Sequence, residues 1–413
     1  QTAEWFKATH HIVLIGHELY IYDTRSGIYR TGKQAFERVM LVEDIPSLTI
    51  SQRKEVLSYL YATFDYDEFH CGCVDDSYKY VAFLNGVLNI ETMELTGFDP
   101  KYIVTNKIPY NWDESAQNEL LDKTMMKLAC GDEKVANLLY ESVGYCLYRR
   151  NELRKSFFLI GDRRNGKSTF LRMVNCALGE TMNVSNLDLE DLGSQFGTAE
   201  LVGKLVNIGD DIDSDYIPNA STFKKVVSGS PITVERKGQD PFVMTNYAKF
   251  FFSANSLPRI GRGDDNKAII DRMIIIPFNA TFSKDDPDFD PFISSKLCQP
   301  EVIQALLVKS VMALKRVLAD QGFTELEASQ KAIQEYEVNN NPFEMFVQDA
   351  GPDDIENEGV TKIYRQYDVF CRSSNLKPLS MPTFIKRVCD RFDFKTSVIL
   401  SGGKKMRIFA RKE

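Results

Sequence analysis

The sequence predicts an α/β fold: a parallel sheet wrapped by helices around a phosphate-binding loop, with an α+β and helical region before it and a basic helical module after it. Three observations carry that prediction. Gly161-Asp162-Arg163-Arg164-Asn165-Gly166-Lys167-Ser168 complete a G-x-x-x-x-G-K-S phosphate loop. Two later apolar runs, Leu205–Gly209 and Ala248–Ala254, are short and stop abruptly at polar residues, as buried parallel strands do. Residues 360–413 hold 13 Lys and Arg against 4 Asp and Glu although the chain's net charge is −8, so a basic module is joined to an acidic remainder.

With 413 residues and 43% hydrophobic composition the chain can bury a large core and divide into several compact units, which excludes a disordered protein. No apolar run approaches the roughly 20 residues of a membrane span, and the N-terminus lacks a basic-then-apolar leader, so no membrane partner is expected. The eight cysteines are scattered without a paired framework, which suits a reducing, cytoplasmic location. A start at Gln1 rather than Met is expected of a fragment or a processed chain.

Residues 1–112 alternate short β-rich runs, Ile12–Ile15 and Glu18–Tyr22 among them, with turns and a helical stretch near Ser51–Phe64, the pattern of a small α+β domain. Tyr20, Tyr22 and Tyr29 at strand spacing could stack on bases, but cross-strand packing is the simpler expectation. His70-Cys71-Gly72-Cys73 offers three soft ligands in four positions, whereas a structural zinc site wants four, so zinc is not expected. Residues 113–150 form a helical collar segment with Leu120, Leu121, Met125, Leu128, Leu138, Leu139 and Val143 recurring on one face.

The nucleotide-binding core occupies 151–285. Ser156–Ile160 reads as a buried strand, and Thr169–Leu178 as a helix that stops at Gly179. Residues 286–338 are helical, with Glu301–Val338 as one long amphipathic helix broken by Asn339–Pro342, and the acidic, Gly/Pro-punctuated stretch within 339–359 reads as a linker. In 360–413, helices over Ile363–Ser373 and Met381–Phe392 precede strands Ser397–Leu400 and Met406–Ala410 around Ser401-Gly402-Gly403. That is the outline of a winged helix-turn-helix, a DNA-binding module.

The chemistry follows from the loop. Its backbone N–H groups, from Gly161 to Thr169, surround phosphates at a helix N-terminus where dipole and unpaired donors both favour negative charge. Lys167 reaches the β- and γ-phosphates, and Ser168 offers a hydroxyl to Mg²⁺. Asp210 and Asp211 end the second apolar run, where Asp210 can hold the metal and Asp211 can activate water, or both can simply be solvated. Asn255 ends the third run, as a sensor of the γ-phosphate or as a turn former before Leu257-Pro258. Arg272, in the apolar run Ile269–Ile276, is either an ion-pair partner of Asp271 or a finger for a neighbouring subunit's site. Between the second and third runs, Lys224-Lys225 lead to a hairpin whose turn bears Arg236 and Lys237. It could grip a phosphate backbone or be neutralised by Glu235 or Asp240.

Six segments together resemble the superfamily 3 helicases of the AAA+ class, and more narrowly the phage- and poxvirus-type primase-helicase family: Phe83–Asn89, Phe158–Thr169, Gly203–Asp211, Lys225–Lys237, Phe252–Pro258 and Asp271–Pro277. The resemblance implies an AAA+ core that uses ATP and Mg²⁺ to move 3′ to 5′ along single-stranded DNA and open forks, as a ring of six subunits with each site at an interface. It makes Arg272 the trans-acting finger and Asn255 the sensor, and lines the channel with Lys225, Arg236 and Lys237. The C-terminal module is similar to those of replicative helicases from phages and staphylococcal mobile elements, which implies origin duplex DNA as a further partner. Residues 1–112 offer no convincing Asp-x-Asp-bearing strand for two-metal nucleotidyl transfer, so priming is not expected. The rival reading is an origin-binding initiator whose ATPase switches assembly without processive unwinding; a phosphate-loop kinase is disfavoured by the hairpin and Arg272.

Overall fold

The computed structural model describes residues 2–15, 18–41, 48–64, 77–212, 220–238, 240–258, 266–286, 289–339, 341–373, 378–401 and 404–412. They form two compact units, one of residues 1–258 and 272–329, the other of 259–271 and 330–413.

In the first unit, α1 (Thr2–Thr9) leads into an antiparallel meander of β1 (Ile12–Ile15), β2 (Glu18–Asp23) and β3 (Ile28–Thr31), followed by α2 (Lys33–Val39) and α3 (Ile50–Thr63). Thr49 and Gln52 close a reciprocal capping box at the start of α3. Phe6, Leu14, Ile21, Phe36 and Leu60 fill a small core, as alternation on β1 and β2 dictates. Tyr22 and Tyr29 are buried edge to face at 5.3 Å with Ile103 beside them, so packing rather than base stacking uses these rings. Three more antiparallel strands follow, β4 (Tyr80–Phe83), β5 (Gly86–Asn89) and β6 (Leu95–Thr96). The His70–Cys73 cluster lies outside the described residues.

Helices α4 (Glu119–Leu128) and α5 (Glu133–Leu147), capped by Asn118 and Asp132, supply the expected apolar face to the main core. Then come β7 (Ser156–Ile160), α6 (Lys167–Leu178), β8 (Val184–Ser185), β9 (Val206–Gly209), α7 (Ala220–Val227), the antiparallel pair β10 (Pro231–Val234) and β11 (Phe242–Thr245), β12 (Lys249–Ala254) and, after α8 (Asn266–Ile270), whose residues belong to the second unit, β13 (Met273–Pro277). Strands β13, β7, β12, β9 and β8 lie in that order, all parallel, so the sheet's C-terminal ends share one edge. Ala254 and Pro277 both pair with Ile160, and Phe252 pairs with Gly209. All six residues of β12 are buried, the signature of a strand covered on both faces.

Helix α9 (Ile293–Leu297) and α10 (Pro300–Asp320) complete the unit. Gly144 of α5 faces the backbone of α10: a β-carbon there would stand 2.1 Å from the Ser310 carbonyl oxygen, so only glycine lets the helices cross this closely. Buried Glu141 ion-pairs with Arg316 and accepts from the Thr324 amide at 2.8 Å. Cys176 on α6 and Cys298 after α9, 122 residues apart in sequence, are joined as a disulfide with Cα atoms 5.9 Å apart, contrary to the expectation of no pairing. No helix among the described residues is long and apolar enough to cross a membrane.

The second unit contains most of α11 (Glu327–Asn339), then α12 (Pro342–Asp349), α13 (Pro352–Ile355), α14 (Val360–Ser373), α15 (Met381–Phe392), β14 (Phe394–Ser401) and β15 (Lys404–Arg411), the last two antiparallel. Tyr367 and Phe384 stack at 4.6 Å in its core.

Three expectations are corrected. The single helix over Glu301–Val338 is two, because Gln321 turns left-handed (φ 53°) and the Gly322 amide returns to the Val317 carbonyl at 3.1 Å. The linker within 339–359 contains two helices. Asn341 caps α12, a proline sits in the first turn of each helix, and Phe343, Phe346, Val347 and Ile355 join the same core as Tyr367. The apolar run Ile269–Ile276 is not one strand: Ile269 and Ile270 close α8, and the strand begins at Met273.

Candidate nucleotide and nucleic-acid site

The phosphate loop lies where β7, held between β13 and β12, turns into α6. Two left-handed residues shape it, Arg164 (φ 61°) and Gly166 (φ 90°), the latter capping α6. Gly161 has no room for a side chain, since a β-carbon would stand 2.1 Å from the Phe278 carbonyl oxygen and 2.2 Å from Asn165 Nδ2. Buried Asn165 donates to the Phe278 carbonyl at 2.7 Å, and the Phe282 amide donates to the Arg164 carbonyl at 3.0 Å, which ties the loop to the segment after β13.

Lys167 is 6% exposed. Its ammonium donates to the Gly161 carbonyl, to the Asp162 carbonyl at 2.9 Å and to Asn165 Oδ1 at 3.3 Å. Burial lowers its pKa below that of an ordinary lysine, against the opposing pull of Asp211, Asp210 and Asp162. Asp162, Arg163 and Ser168 are exposed around it, and Thr169 is half-buried in the first turn of α6.

Asp210 and Asp211 follow β9 at the same edge and are both exposed. Ser168 Oγ donates to Asp210 Oδ1 at 3.4 Å, so a hydroxyl and a carboxylate 42 residues apart in sequence face one another, hard oxygen donors that fit Mg²⁺. Ser253, on β12, was not singled out by sequence: its hydroxyl donates to Asp210 Oδ1 at 2.5 Å and accepts from the Asp211 amide at 2.8 Å. The one polar side chain in Phe250-Phe251-Phe252-Ser253 was the signal. Asp211 is left-handed (φ 56°), which turns the chain away after the strand. Asn255 is exposed one residue beyond Ala254, whose carbonyl accepts the Gly161 amide at 3.3 Å, and so stands between the loop and the carboxylates in sheet order.

Arg272 lies at the other end of the sheet. Its carbonyl accepts from the amide and the hydroxyl of Ser156, the first residue of β7, at 2.7 and 2.8 Å, while its Nε donates to Ser228 Oγ at 2.8 Å. The structure therefore separates Arg272 from Lys167, Asp210 and Asn255 by the length of the strands.

Lys225 is exposed on α7, which feeds directly into the β10–β11 hairpin. Arg236 in the hairpin turn pairs with Glu18 of β2 at 3.4 Å and lies over the Phe242 ring at 5.1 Å, while Glu235 accepts from Gln195 Nε2 at 2.8 Å. The neighbour that meets Arg236 is thus Glu18, not Glu235 or Asp240. Lys237 is exposed.

A cavity of about 500 Å³ opens beside the loop. Arg164, Gly166 and Thr169 form one wall, and Leu120, Phe282 and Phe289 supply apolar surface. Lys127 sits 5.0 Å above the Phe282 ring.

Two family models match parts of the chain: one described as a family of unknown function, DUF5906, over residues 159–272, and one described as D5 N terminal like, over residues 47–128. A helicase-named protein of Acanthamoeba polyphaga mimivirus is 24% identical over 233 residues, which is 54% of this chain and 24% of that protein, so the match spans about a quarter of the relative. The apo structure of the NrS-1 C-terminal region is similar over 99% of this chain and 98% of that one, at a TM-score of 0.51 and 12% identity. An A form apo structure of the same region gives 0.50 with the same identity and coverage. The chain therefore shares the mixed α/β fold of that region, with its five-stranded parallel sheet here carrying the phosphate loop, and in sequence it is similar to a viral, helicase-named protein.

Proposed function

We propose that this chain is the motor of a replicative DNA helicase: an AAA+ ATPase of superfamily 3 type that hydrolyses ATP with Mg²⁺ at subunit interfaces of a ring, most simply a hexamer. One observation carries the reading. The loop, the carboxylates and Asn255 share the C-terminal edge of a parallel sheet, while Arg272 is anchored at the opposite edge. An arginine so placed is poorly suited to reach its own loop and well suited to face a neighbour's.

Lys167 and the loop amides would hold the β- and γ-phosphates, exchanging the Lys167–carbonyl contacts for phosphate oxygens. Ser168 and Asp210 would hold a magnesium ion, which would supply positive charge to offset that of the phosphates. Asp211 would orient and deprotonate the attacking water, Asn255 would contact the γ-phosphate, and Arg272 of the adjacent subunit would stabilise charge in the transition state. The cavity beside the loop would take the base. Lys225, Arg236 and Lys237 would grip single-stranded DNA through its phosphates, with DNA displacing Glu18 from Arg236.

The test is Lys237→Ala, which should keep basal ATP hydrolysis and lose unwinding of a forked substrate at least tenfold, a typical cost of losing a charged contact of ~1.4 kcal/mol or more. Normal unwinding by this variant would remove the hairpin from the mechanism.

The helix-turn-helix and ribbon of the second unit support the second reading, an origin-binding initiator with a winged-helix module. Because α12 and α13 belong to the same core, the deletion that separates the two should start at residue 341 rather than 360. A helicase should still unwind a fork without these residues, whereas an initiator should lose specific duplex binding.

A further inference from the structure

In the second unit a groove of about 760 Å³ lies between the outer face of α14 and strand β15, within the usual ~300–1,000 Å³ of a ligand pocket. Its floor is apolar: Val369 is 61% and Met406 37% exposed, with Phe370 beside them. Gly359 brings helix and ribbon together, since a β-carbon there would already meet Met406 Sδ at 3.3 Å. The rim is cationic, with Arg365, Lys405 and Arg407. Lys362 adds a fourth charge and pairs with Glu358 at 2.8 Å, and Arg407 also donates to Thr396 Oγ1 at 2.9 Å.

The geometry points to this groove as a docking site for a short acidic segment of a partner protein, one that carries large apolar side chains between its carboxylates. Charge complementarity and the floor select that occupant together. A nucleic-acid backbone would satisfy the rim but would leave Val369, Phe370 and Met406 against phosphates and sugar, whereas an acidic amphipathic peptide meets both surfaces. None of the groove-lining residues belongs to α15, whose Lys386 is exposed, so duplex binding through that helix and peptide docking need not compete.

The experiment titrates the full chain into a fluorescein-labelled peptide, Asp-Phe-Asp-Asp-Leu-Phe-Asp, and follows anisotropy. Saturable binding is expected, weakened more than about tenfold by Arg365→Glu, by Val369→Asp, and by a peptide with Asn in place of every Asp. Both residues are exposed, so thermal unfolding should be unchanged; if Val369→Asp unfolds, Arg365→Glu and the Asn peptide decide. Absent saturation, equal binding of the Asn peptide, or unchanged peptide affinity in Arg365→Glu would overturn the proposal. So would a result in which Arg365→Glu abolishes binding of a 20-nucleotide single strand or duplex and that DNA displaces the peptide, which would make the groove a nucleic-acid surface.

Discussion

The two ends of the parallel sheet each bury a lysine, and the difference between them shows which end is built to change. At the C-terminal edge, Lys167 bonds to loop carbonyls and an amide oxygen beside two exposed aspartates, partners that the proposed triphosphate would replace. At the N-terminal edge, Lys249 starts β12 with its ammonium donating to the Tyr148 and Tyr247 carbonyls, both at 2.6 Å, and lying 4.4 Å from the centre of the Tyr145 ring. Around it, Asn151 donates to the Val226, Asn246 and Ala248 carbonyls at 3.1 to 3.3 Å, and Asn246 donates to Val226 again. One end is a cradle with exposed acids; the other is a hydrogen-bonded platform that holds Arg272 by its backbone. A fixed arginine on a rigid platform suits a group presented to another subunit.

The largest expected effects test that division. Lys167→Ala should abolish triphosphate binding and turnover, whereas Arg272→Ala should keep binding and lose turnover by about 10³-fold, the scale of a missing arginine finger. Phosphate release and fluorescent-nucleotide titration read the two apart. If Arg272→Ala loses binding as severely as Lys167→Ala, the two ends do not divide the work as described.

Ser253→Ala should be smaller. Without the hydroxyl that anchors Asp210 Oδ1 and the Asp211 amide, the carboxylate loses its orientation. The Mg²⁺ concentration giving half-maximal turnover should rise about tenfold, as for other groups that orient a metal ligand, with nucleotide affinity measured without metal unchanged. An unchanged Mg²⁺ requirement would make Ser253 a packing residue.

The smallest effect concerns the platform and stability. Burial draws the Lys249 pKa from 10.5 down to about 7. Between those values the unfolded chain binds the extra proton, so folding stability contributed by this site rises as pH goes from 7 towards 10.5, and the penalty is complete below about pH 7. Denaturant unfolding at pH 7 and 9.5 should show a gain that shrinks by on the order of 2 kcal/mol in Lys249→Met. Identical pH slopes for the two proteins would mean that Lys249 stays charged when folded.

The C-terminal edge was readable from sequence because its chemistry is local. The loop octapeptide, Asp210-Asp211 and Asn255 each end a short apolar run, and the strand boundaries agree with the structure within a residue or two. The N-terminal edge was not, because its partners are distant in the chain: Asn151 with Val226, Ser156 with Arg272. Apolar runs also hide their period, which is why Ile269 and Ile270 looked like strand. The stretch around Gly351-Pro352 looked like a linker because proline and acidic residues mark turns and helix first turns equally well. What decided for helix was, in α12, the spacing of Phe343, Phe346 and Val347, three and four residues apart, after an Asn341 cap, and in α13, which begins at Pro352, the burial of Ile355.

The central claim is that a competent site needs the cradle of one chain and the platform of another. Lys167→Ala and Arg272→Ala proteins, each inactive alone, should regain ATP turnover when co-expressed and purified together, because interfaces pairing the intact loop of one with the intact arginine of the other then exist. Turnover of the co-purified mixture no greater than the sum of the two alone, in assemblies shown to contain both variants, would contradict it.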